Sequence, residues 1–90
     1  MQRLPSWTWD PAKAAANLRK HGVSFELAAV ALDTDTGSLS ETDPHPDRDR
    51  CDTLALIGSL VLYIVHTHER IISARPATPR ERRKYHNETQ

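Results

Sequence analysis

The sequence predicts an α+β fold in which helices pack on an antiparallel sheet, in the order β-α-α-β-β-β-α. After a short β-prone segment come two capped helical segments. β-rich segments separated by short turns follow, and a charged helical segment comes last. We find no internal repeat and no break in composition, so we interpret residues 1–90 as a single domain.

The composition is that of an ordinary globular protein, with 38% hydrophobic and 27% charged residues. The formal net charge is zero, which argues against bulk electrostatic attraction to nucleic acid. The charges are nevertheless segregated, with acids concentrated between Asp33 and Asp52 and bases near the C-terminus. Both regions are therefore candidate surfaces for partners.

Several classes of protein are excluded. The single cysteine, Cys51, cannot form an internal disulfide framework or a zinc ribbon. His66 and His68 share a strand without the further ligands that a metal site needs, and we expect no metal and no cofactor. No apolar run approaches the roughly 20 residues that span a bilayer, and the start lacks a signal-peptide pattern, so we expect a cytoplasmic protein.

The first helix has clear boundary signals. Residues 6–9 are β-prone, with both tryptophans on one face, where core packing is favoured over base stacking. Asp10 is then an N-cap, Pro11 suits the first helical position, and Gly22 suits the left-handed residue after a helix. The spacing predicts a narrow apolar stripe consisting of Ala14, Ala15 and Leu18. It predicts an opposite polar face consisting of Lys13, Asn17, Lys20 and His21.

The second helix follows so closely that we expect a helical hairpin. Ser24 is its N-cap, and the predicted core-facing stripe consists of Phe25, Ala28, Ala29 and Leu32. Residues 38–42 are a candidate edge strand, and residues 43–47, with two prolines, form an irregular, flexible loop. Strands are predicted at 51–57, 60–67 and 70–74, forming an antiparallel meander with a tight Gly-Ser hairpin between the first two.

The last helix begins after a turn at Pro76. Thr78, Pro79 and Glu81 form a capping box with proline at the first helical position. Apart from Tyr85 the helix has almost no apolar residue, so it is either frayed or docked through specific contacts.

Positive charge is concentrated in residues 70–86, where the bases are Arg70, Arg75, Arg80, Arg82, Arg83 and Lys84. Guanidinium groups match phosphate oxygens in bidentate geometry, which favours a phosphodiester site. Tyr85 is a candidate to stack on a base or to exchange a proton. The alternative is a solvated helix with intrahelical ion pairs, because charge runs are usually surface.

The polar face of the first helix is a second cluster. If the sheet brings it near Arg75, the two clusters form one cationic cleft with a titratable histidine, His21; otherwise it is simply an exposed helix face. RNA cleavage without metal requires a base, cations that stabilise the phosphorane, and an acid. Side chains of suitable types are present, but residue types do not assign these roles: Lys13, Lys20, His21, Arg75, Glu81 and Tyr85.

Two blocks of sequence carry a family resemblance. The segments WDPAKAAANLRKHGVSFELA (9–28) and RIISARPATPRERRKY (70–85), with LALIGSLVLYIVHT between them, closely resemble the BrnT family of bacterial toxins. The resemblance implies a RelE-like fold and a ribonuclease toxin that halts translation in a type II toxin–antitoxin system. It also implies a BrnA-like ribbon-helix-helix antitoxin, a two-plus-two assembly, and contact with operator DNA only through the antitoxin.

On this basis the predicted site has two parts. The predicted catalytic residues are Lys13, Lys20, His21, Arg75 and Tyr85, with Arg75 as the leading cation. The predicted RNA-binding residues are Arg70, Arg80, Arg82, Arg83 and Lys84, and the four on the last helix are alternatively contacts for the antitoxin. Glu81 is most simply a capping residue. The alternative function is a non-catalytic binding module, either a degenerate toxin or a co-repressor.

Overall fold

The computed structural model describes residues 7–35, 37–42 and 50–88, and the predicted loop at 43–47 lies outside them. Four antiparallel strands form one sheet in the order β1-β2-β3-β4. The elements are α1 (Pro11–His21), α2 (Phe25–Thr34), β1 (Leu39–Thr42), β2 (Cys51–Ile57), β3 (Leu60–His66), β4 (Ile71–Pro76) and α3 (Pro79–Glu88). The α+β class is confirmed, and no helix among the described residues is long and apolar enough to cross a bilayer.

The order of elements differs from the prediction at both ends of the sheet. Four strands follow α2 where the predicted order has three, because the candidate edge strand at 38–42 is confirmed as β1 and pairs fully with β2. The β-prone segment at the start contributes a single parallel bridge between Thr8 and Arg70 instead of a strand. The predicted turn at Pro76 is also wrong, since Pro76 ends β4 opposite Leu62. Proline is tolerated there because β4 is an edge strand.

The helix boundary signals are confirmed. The Asp10 carboxylate accepts a hydrogen bond from the Ala12 backbone N–H at 2.9 Å, and Gly22 adopts φ 73° after α1. The Ser24 hydroxyl accepts from the Leu27 N–H at 3.0 Å at the start of α2. These contacts are local, so residues near each terminus suffice to specify them.

The two faces of the sheet bury different sets of side chains. We call the side covered by α1 and α2 the helical-pair face and the other side the α3 face. The first core is built from α2, its flanking residue and alternate strand residues: Val23, Phe25, Ala28, Ala29, Ala31, Ala55, Leu62, Ile64, Ile71 and Ala74. The second core, beneath α3, consists of Leu54, Val61, Ala77 and Tyr85. Trp7 and Trp9 both pack against the first core, as predicted.

The predicted faces of α1 are partly wrong. Leu18 is 50% exposed, whereas Asn17 is 8% exposed and faces the sheet. The Asn17 amide donates to the Ala74 carbonyl at 2.8 Å and to the Val23 carbonyl at 3.0 Å, and its oxygen accepts from the Ala74 N–H at 3.2 Å. A buried amide with these partners is satisfied, so its burial is tolerated.

Asn17 also supplies hydrogen-bond partners to the backbone at the edge of the sheet. Ala74 lies on the outermost strand, where backbone groups lack a neighbouring strand. The Asn17 amide pairs with both the N–H and the C=O of Ala74, as a neighbouring strand would. Thr8 covers the beginning of the same edge, because its carbonyl accepts from the Ile71 N–H at 2.9 Å. The edge of β4 is therefore capped by the chain itself.

Asp35 and Tyr85 dock α3 against the rest of the molecule. The Tyr85 hydroxyl donates to Asp35 Oδ2 at 2.6 Å, and the same oxygen accepts from the Leu56 N–H at 2.7 Å. Burial alone would raise the pKa of Asp35, but these hydrogen bonds and one from the Gly37 N–H lower it below the ordinary value. Of the two predicted possibilities, frayed or docked, α3 is docked.

A chain of hydrogen bonds crosses β1, β2 and β3 at His66. His66 Nδ1 lies 2.7 Å from the Thr67 carbonyl, which can only accept, so Nδ1 carries the proton. Nε2 must then accept from the Thr53 hydroxyl at 2.6 Å, and Thr53 accepts from Ser40 at 2.7 Å. Burial lowers the pKa of His66 below its ordinary value, which favours this neutral form.

Replacing Asn17 by leucine tests the edge cap. We expect Asn17→Leu to lower the free energy of unfolding by about 2–4 kcal/mol, because buried N–H and C=O groups lose their partners. The measurement is urea denaturation. Asn87→Leu, at an exposed position of α3, is the matched control and should change the value by less than about 0.5 kcal/mol. Equal stability of Asn17→Leu and the wild type would contradict the assignment.

The neutral state of His66 predicts a pH dependence of stability. The folded pKa lies below the ordinary value of 6.5, so the unfolded chain binds more protons between the two values. Stability is therefore fully present above about pH 6.5 and declines as the pH falls toward the folded pKa. Denaturation curves between pH 5 and 8 should show this decline in the wild type and in His68→Gln, an exposed control. In His66→Gln the decline should be smaller, and an unchanged decline would refute the prediction.

Candidate functional site

The α3 face brings together side chains from four strands and one helix. Strand pairing places Tyr63 of β3 opposite Leu54 on one side and opposite Arg75 of β4 on the other. The Arg75 guanidinium carbon lies 4.2 Å from the centroid of the Tyr63 ring, in cation–π contact. This stacking fixes the plane of the guanidinium.

Glu81 of α3 fixes its direction. Arg75 Nη1 and Nη2 donate to Glu81 Oε1 and Oε2 at 2.9 and 3.0 Å, which is a bidentate pair. The hydrogen bonds to Glu81 raise the pKa of Arg75 above its ordinary value, and those from Arg75 lower the pKa of Glu81. Both groups are consequently charged at neutral pH.

Glu81 also performs the predicted capping role. Its Oε1 accepts from the Thr78 N–H at 2.8 Å, and the Thr78 hydroxyl accepts from the Glu81 N–H at 3.2 Å. These reciprocal bonds are a capping box. One carboxylate therefore starts α3 and holds Arg75 at the same time, a combination that the sequence did not reveal.

Tyr63 connects Arg75 to a second carboxylate. Its hydroxyl donates a short hydrogen bond to Asp52 Oδ2. Burial, together with this bond to the acceptor Asp52, raises the pKa of Tyr63 to about 12. Tyr63 thus remains a hydrogen-bond donor at neutral pH. The other oxygen, Asp52 Oδ1, is buried and has no hydrogen-bond partner among the described residues.

A pocket of about 300 Å³ opens beside this network. Its lining combines apolar side chains of the sheet with charged side chains of α3: Leu39, Asp52, Leu54, Tyr63, Arg80, Glu81 and Lys84. A concave apolar surface with a few converging polar groups is typical of a ligand site. We therefore take the pocket and the adjoining Arg75 as the candidate site.

The predicted RNA-binding residues do not all reach this pocket. Arg80 and Lys84 line it. Arg82 donates to the Ala77 carbonyl at 3.2 Å, and Arg83 is exposed on the same helix. Arg70 is exposed at the bridge to residue 8, before the start of β4, whereas Arg75 is near its end. The basic cluster is therefore spread over more than one surface.

The predicted catalytic residues of α1 lie elsewhere. Lys13 and Lys20 are exposed and His21 is half-buried on a helix that packs against β4 from the helical-pair face. Arg75 stacks and bonds on the α3 face. The two clusters thus approach β4 from different sides, and the single cationic cleft that the sequence suggested stays a prediction.

Tyr85 is in the second core instead of the pocket. It is 4% exposed, and its hydroxyl is held by Asp35. A ring in this position lacks an open face for stacking on a base. Its observed role is to dock α3.

Sequence reasoning missed Tyr63 and Asp52. Both lie in segments predicted as strands, and the Gly-Ser hairpin at 58–59 was available as a guide to their pairing. The pairing of Tyr63 with Arg75 on its other side depends on a register shift between Val65 and His66, and this shift has no clear signature in the sequence. Among residues 7–35, 37–42 and 50–88, no three His, Cys, Asp or Glu side chains lie close enough to hold a metal ion.

Comparison with known proteins agrees with the resemblance in the sequence. The family model described as the ribonuclease toxin BrnT of type II toxin–antitoxin systems matches residues 9–81. The matched region contains Asp52, Tyr63, Arg75 and Glu81. No curated protein matches the chain significantly. Because the family model covers most of its length, the chain belongs to the BrnT family of ribonuclease toxins of type II toxin–antitoxin systems.

Proposed function

We propose that this BrnT-family protein is a metal-independent endoribonuclease that inhibits translation, and that it acts from the α3 face. The observation that carries the proposal is the Arg75 guanidinium, fixed by Glu81 and by the Tyr63 ring beside the pocket. A cation held in one orientation before the reaction can stabilise developing charge without reorganising.

Arg75 has donors left for a phosphate. Of the five guanidinium N–H groups, two donate to Glu81 and one donates to the Pro76 carbonyl at 3.2 Å. The remaining N–H groups would bind the scissile phosphate as negative charge builds up on the phosphorane. Arg80 and Lys84, which line the pocket, would hold the adjoining backbone.

Glu81 acts as a positioning residue in this proposal. Its lowered pKa keeps it ionised, so it holds the guanidinium of Arg75 in place throughout the physiological pH range. The site's main contribution is thus electrostatic, with Arg75 as the catalytic cation. Catalysis by Lys13, Lys20 and His21 stays a prediction that would require a second surface, and we do not include them in this site.

The family description implies an antitoxin partner, since type II toxins are held by a protein. We propose that this partner is a BrnA-like ribbon-helix-helix protein, that the assembly is two-plus-two, and that operator DNA is contacted only through the antitoxin. A RelE-like topology and a cytoplasmic location belong to the same proposal. The exposed arginine Arg83 of α3 is available for the RNA or for the antitoxin.

A second candidate is a non-catalytic binding module, either a degenerate toxin or a co-repressor. The bidentate ion pair favours this candidate, because both Glu81 oxygens already accept hydrogen bonds from the Arg75 guanidinium. In this case induction would not slow growth, and RNA would stay intact at high protein concentration. The growth assay therefore separates the two candidates.

Arg75→Ala tests the catalytic cation. The wild type should cleave RNA in the presence of EDTA, and Arg75→Ala should lower the cleavage rate constant by about 100- to 1,000-fold and relieve growth arrest. Arg75→Lys keeps a charge but loses the fork, so a partial loss is expected. Arg19→Ala, exposed on α1, is the matched control and should cleave like the wild type. Full activity of a folded Arg75→Ala variant would exclude this site.

Tyr85→Phe separates docking from catalysis. Removing the hydroxyl leaves the Asp35 carboxylate with one donor fewer, so the free energy of unfolding should fall by about 1–2 kcal/mol. At a temperature at which the variant stays folded, its cleavage rate constant should remain within about threefold of the wild type, because the ring is in the core. A large loss of cleavage without a loss of stability would restore Tyr85 to the catalytic set.

A further inference from the structure

The pocket on the α3 face has the size and walls for one flat ring system. Its volume of about 300 Å³ lies at the lower end of the range for small-ligand sites. Leu39 and Leu54 supply apolar walls from β1 and β2, and Tyr63 adds an aromatic one. A single nucleobase fits this description, because bases bury their faces against apolar and aromatic side chains.

The polar groups of the pocket differ in their availability. Both oxygens of Glu81 accept hydrogen bonds from Arg75, and one accepts from the Thr78 N–H as well. Asp52 is different, because only Oδ2 has a donor, the Tyr63 hydroxyl. Asp52 Oδ1 is buried and lacks a partner among the described residues. Of the two carboxylates, Asp52 is the one with an oxygen that can accept a hydrogen bond from a ligand.

The direction of the bond between Tyr63 and Asp52 fixes Asp52 as an acceptor. With a pKa of about 12, Tyr63 keeps its proton and donates it. A buried carboxylate oxygen without a donor is unfavourable, so a ligand N–H at Oδ1 would be stabilising. The base at this position must therefore present donors to Asp52.

Guanine presents the matching edge. Its ring N–H and its exocyclic amino group are adjacent donors, which suits the two oxygens of a carboxylate, and the neighbouring carbonyl is an acceptor for a cation such as Arg80 or Lys84. Uracil has no amino group. Adenine and cytosine place an acceptor nitrogen beside the amino group, where it would face the second carboxylate oxygen.

We propose that this pocket binds one guanine base of the RNA and that Asp52 determines the specificity. As a statement about the RNA substrate, the proposal rests on the ribonuclease function proposed above. It assigns to the protein a preference for guanine next to the phosphate held by Arg75. Arg80 and Lys84 then serve the backbone and the carbonyl edge, and Glu81 holds Arg75, instead of selecting the base.

Nucleotide binding tests the proposal without requiring cleavage. The probes are the 3′-monophosphates of 2′-deoxyguanosine, 2′-deoxyuridine, 2′-deoxycytidine and 2′-deoxyadenosine, titrated into the purified chain by calorimetry. We expect the guanine nucleotide to bind the wild type about tenfold or more tightly than each of the others. Asp52→Asn should reduce this preference to below about threefold while leaving the uracil nucleotide nearly unchanged. Glu26→Gln, an exposed carboxylate of α2, is the matched control and should keep the preference.

Equal affinities for the four nucleotides, or a preference for another base, would overturn the proposal, as would a guanine preference that survives Asp52→Asn. If Asp52→Asn does not fold, Asp52→Glu provides the second test, because it keeps the charge but moves both oxygens and should lower the preference for guanine. Cleavage that depends on Arg75 but not on the base would refute this inference alone. Guanine-selective binding by a chain that never cleaves RNA would refute the proposed function alone.

Discussion

The bidentate bond between Arg75 and Glu81 joins the last strand to the last helix, and the arrangement of the α3 face depends on it. Glu81 Oε1 accepts from Arg75 and from the Thr78 N–H, so the start of the helix and the guanidinium cannot move independently. The guanidinium lies on Tyr63, whose hydroxyl bonds to Asp52. One carboxylate thereby orders a series of contacts from β4 across β3 to β2.

The edge strand β4 connects both helical layers. The backbone of Ala74 bonds to Asn17 of α1, whereas the side chain of the next residue, Arg75, bonds to α3. The Asn17 amide meets the backbone at the edge of β4, whereas the Arg75 side chain lies on the α3 face, so α1 and α3 contact the same strand from different directions. Because the net charge of the chain is zero, binding at the α3 face must rely on local geometry.

Sequence reasoning succeeded where the determining contacts are local. The caps at Asp10 and Ser24, the positive φ of Gly22 and the capping box at Thr78 and Glu81 all involve residues within one helical turn. Alternation and turn signals located the strands for the same reason.

The remaining features depend on contacts between distant residues. The burial of Asn17 follows from pairing with Ala74, 57 positions away, and helix periodicity contains no information about that partner. An aromatic residue on a charged helix suggested a functional ring. Tyr85 is a core residue instead, because it is bound to Asp35, 50 positions away. The proximity of Tyr63 to Arg75 requires the register shift beside His66. These are tertiary effects that override local patterns.

Two of the polar contacts that dock α3 have different roles. Tyr85 is the buried residue of this helix, so apolar packing contributes little to its docking. The helix relies on the bond between Arg75 and Glu81 at its start and on the bond between Tyr85 and Asp35 further along. Asp35 also accepts from the Leu56 N–H of β2 and is not among the residues that line the pocket. A phosphate that binds the remaining N–H groups of Arg75 would therefore leave both bonds intact. The helix stays docked by Tyr85 while Glu81 holds the guanidinium in one orientation toward the substrate.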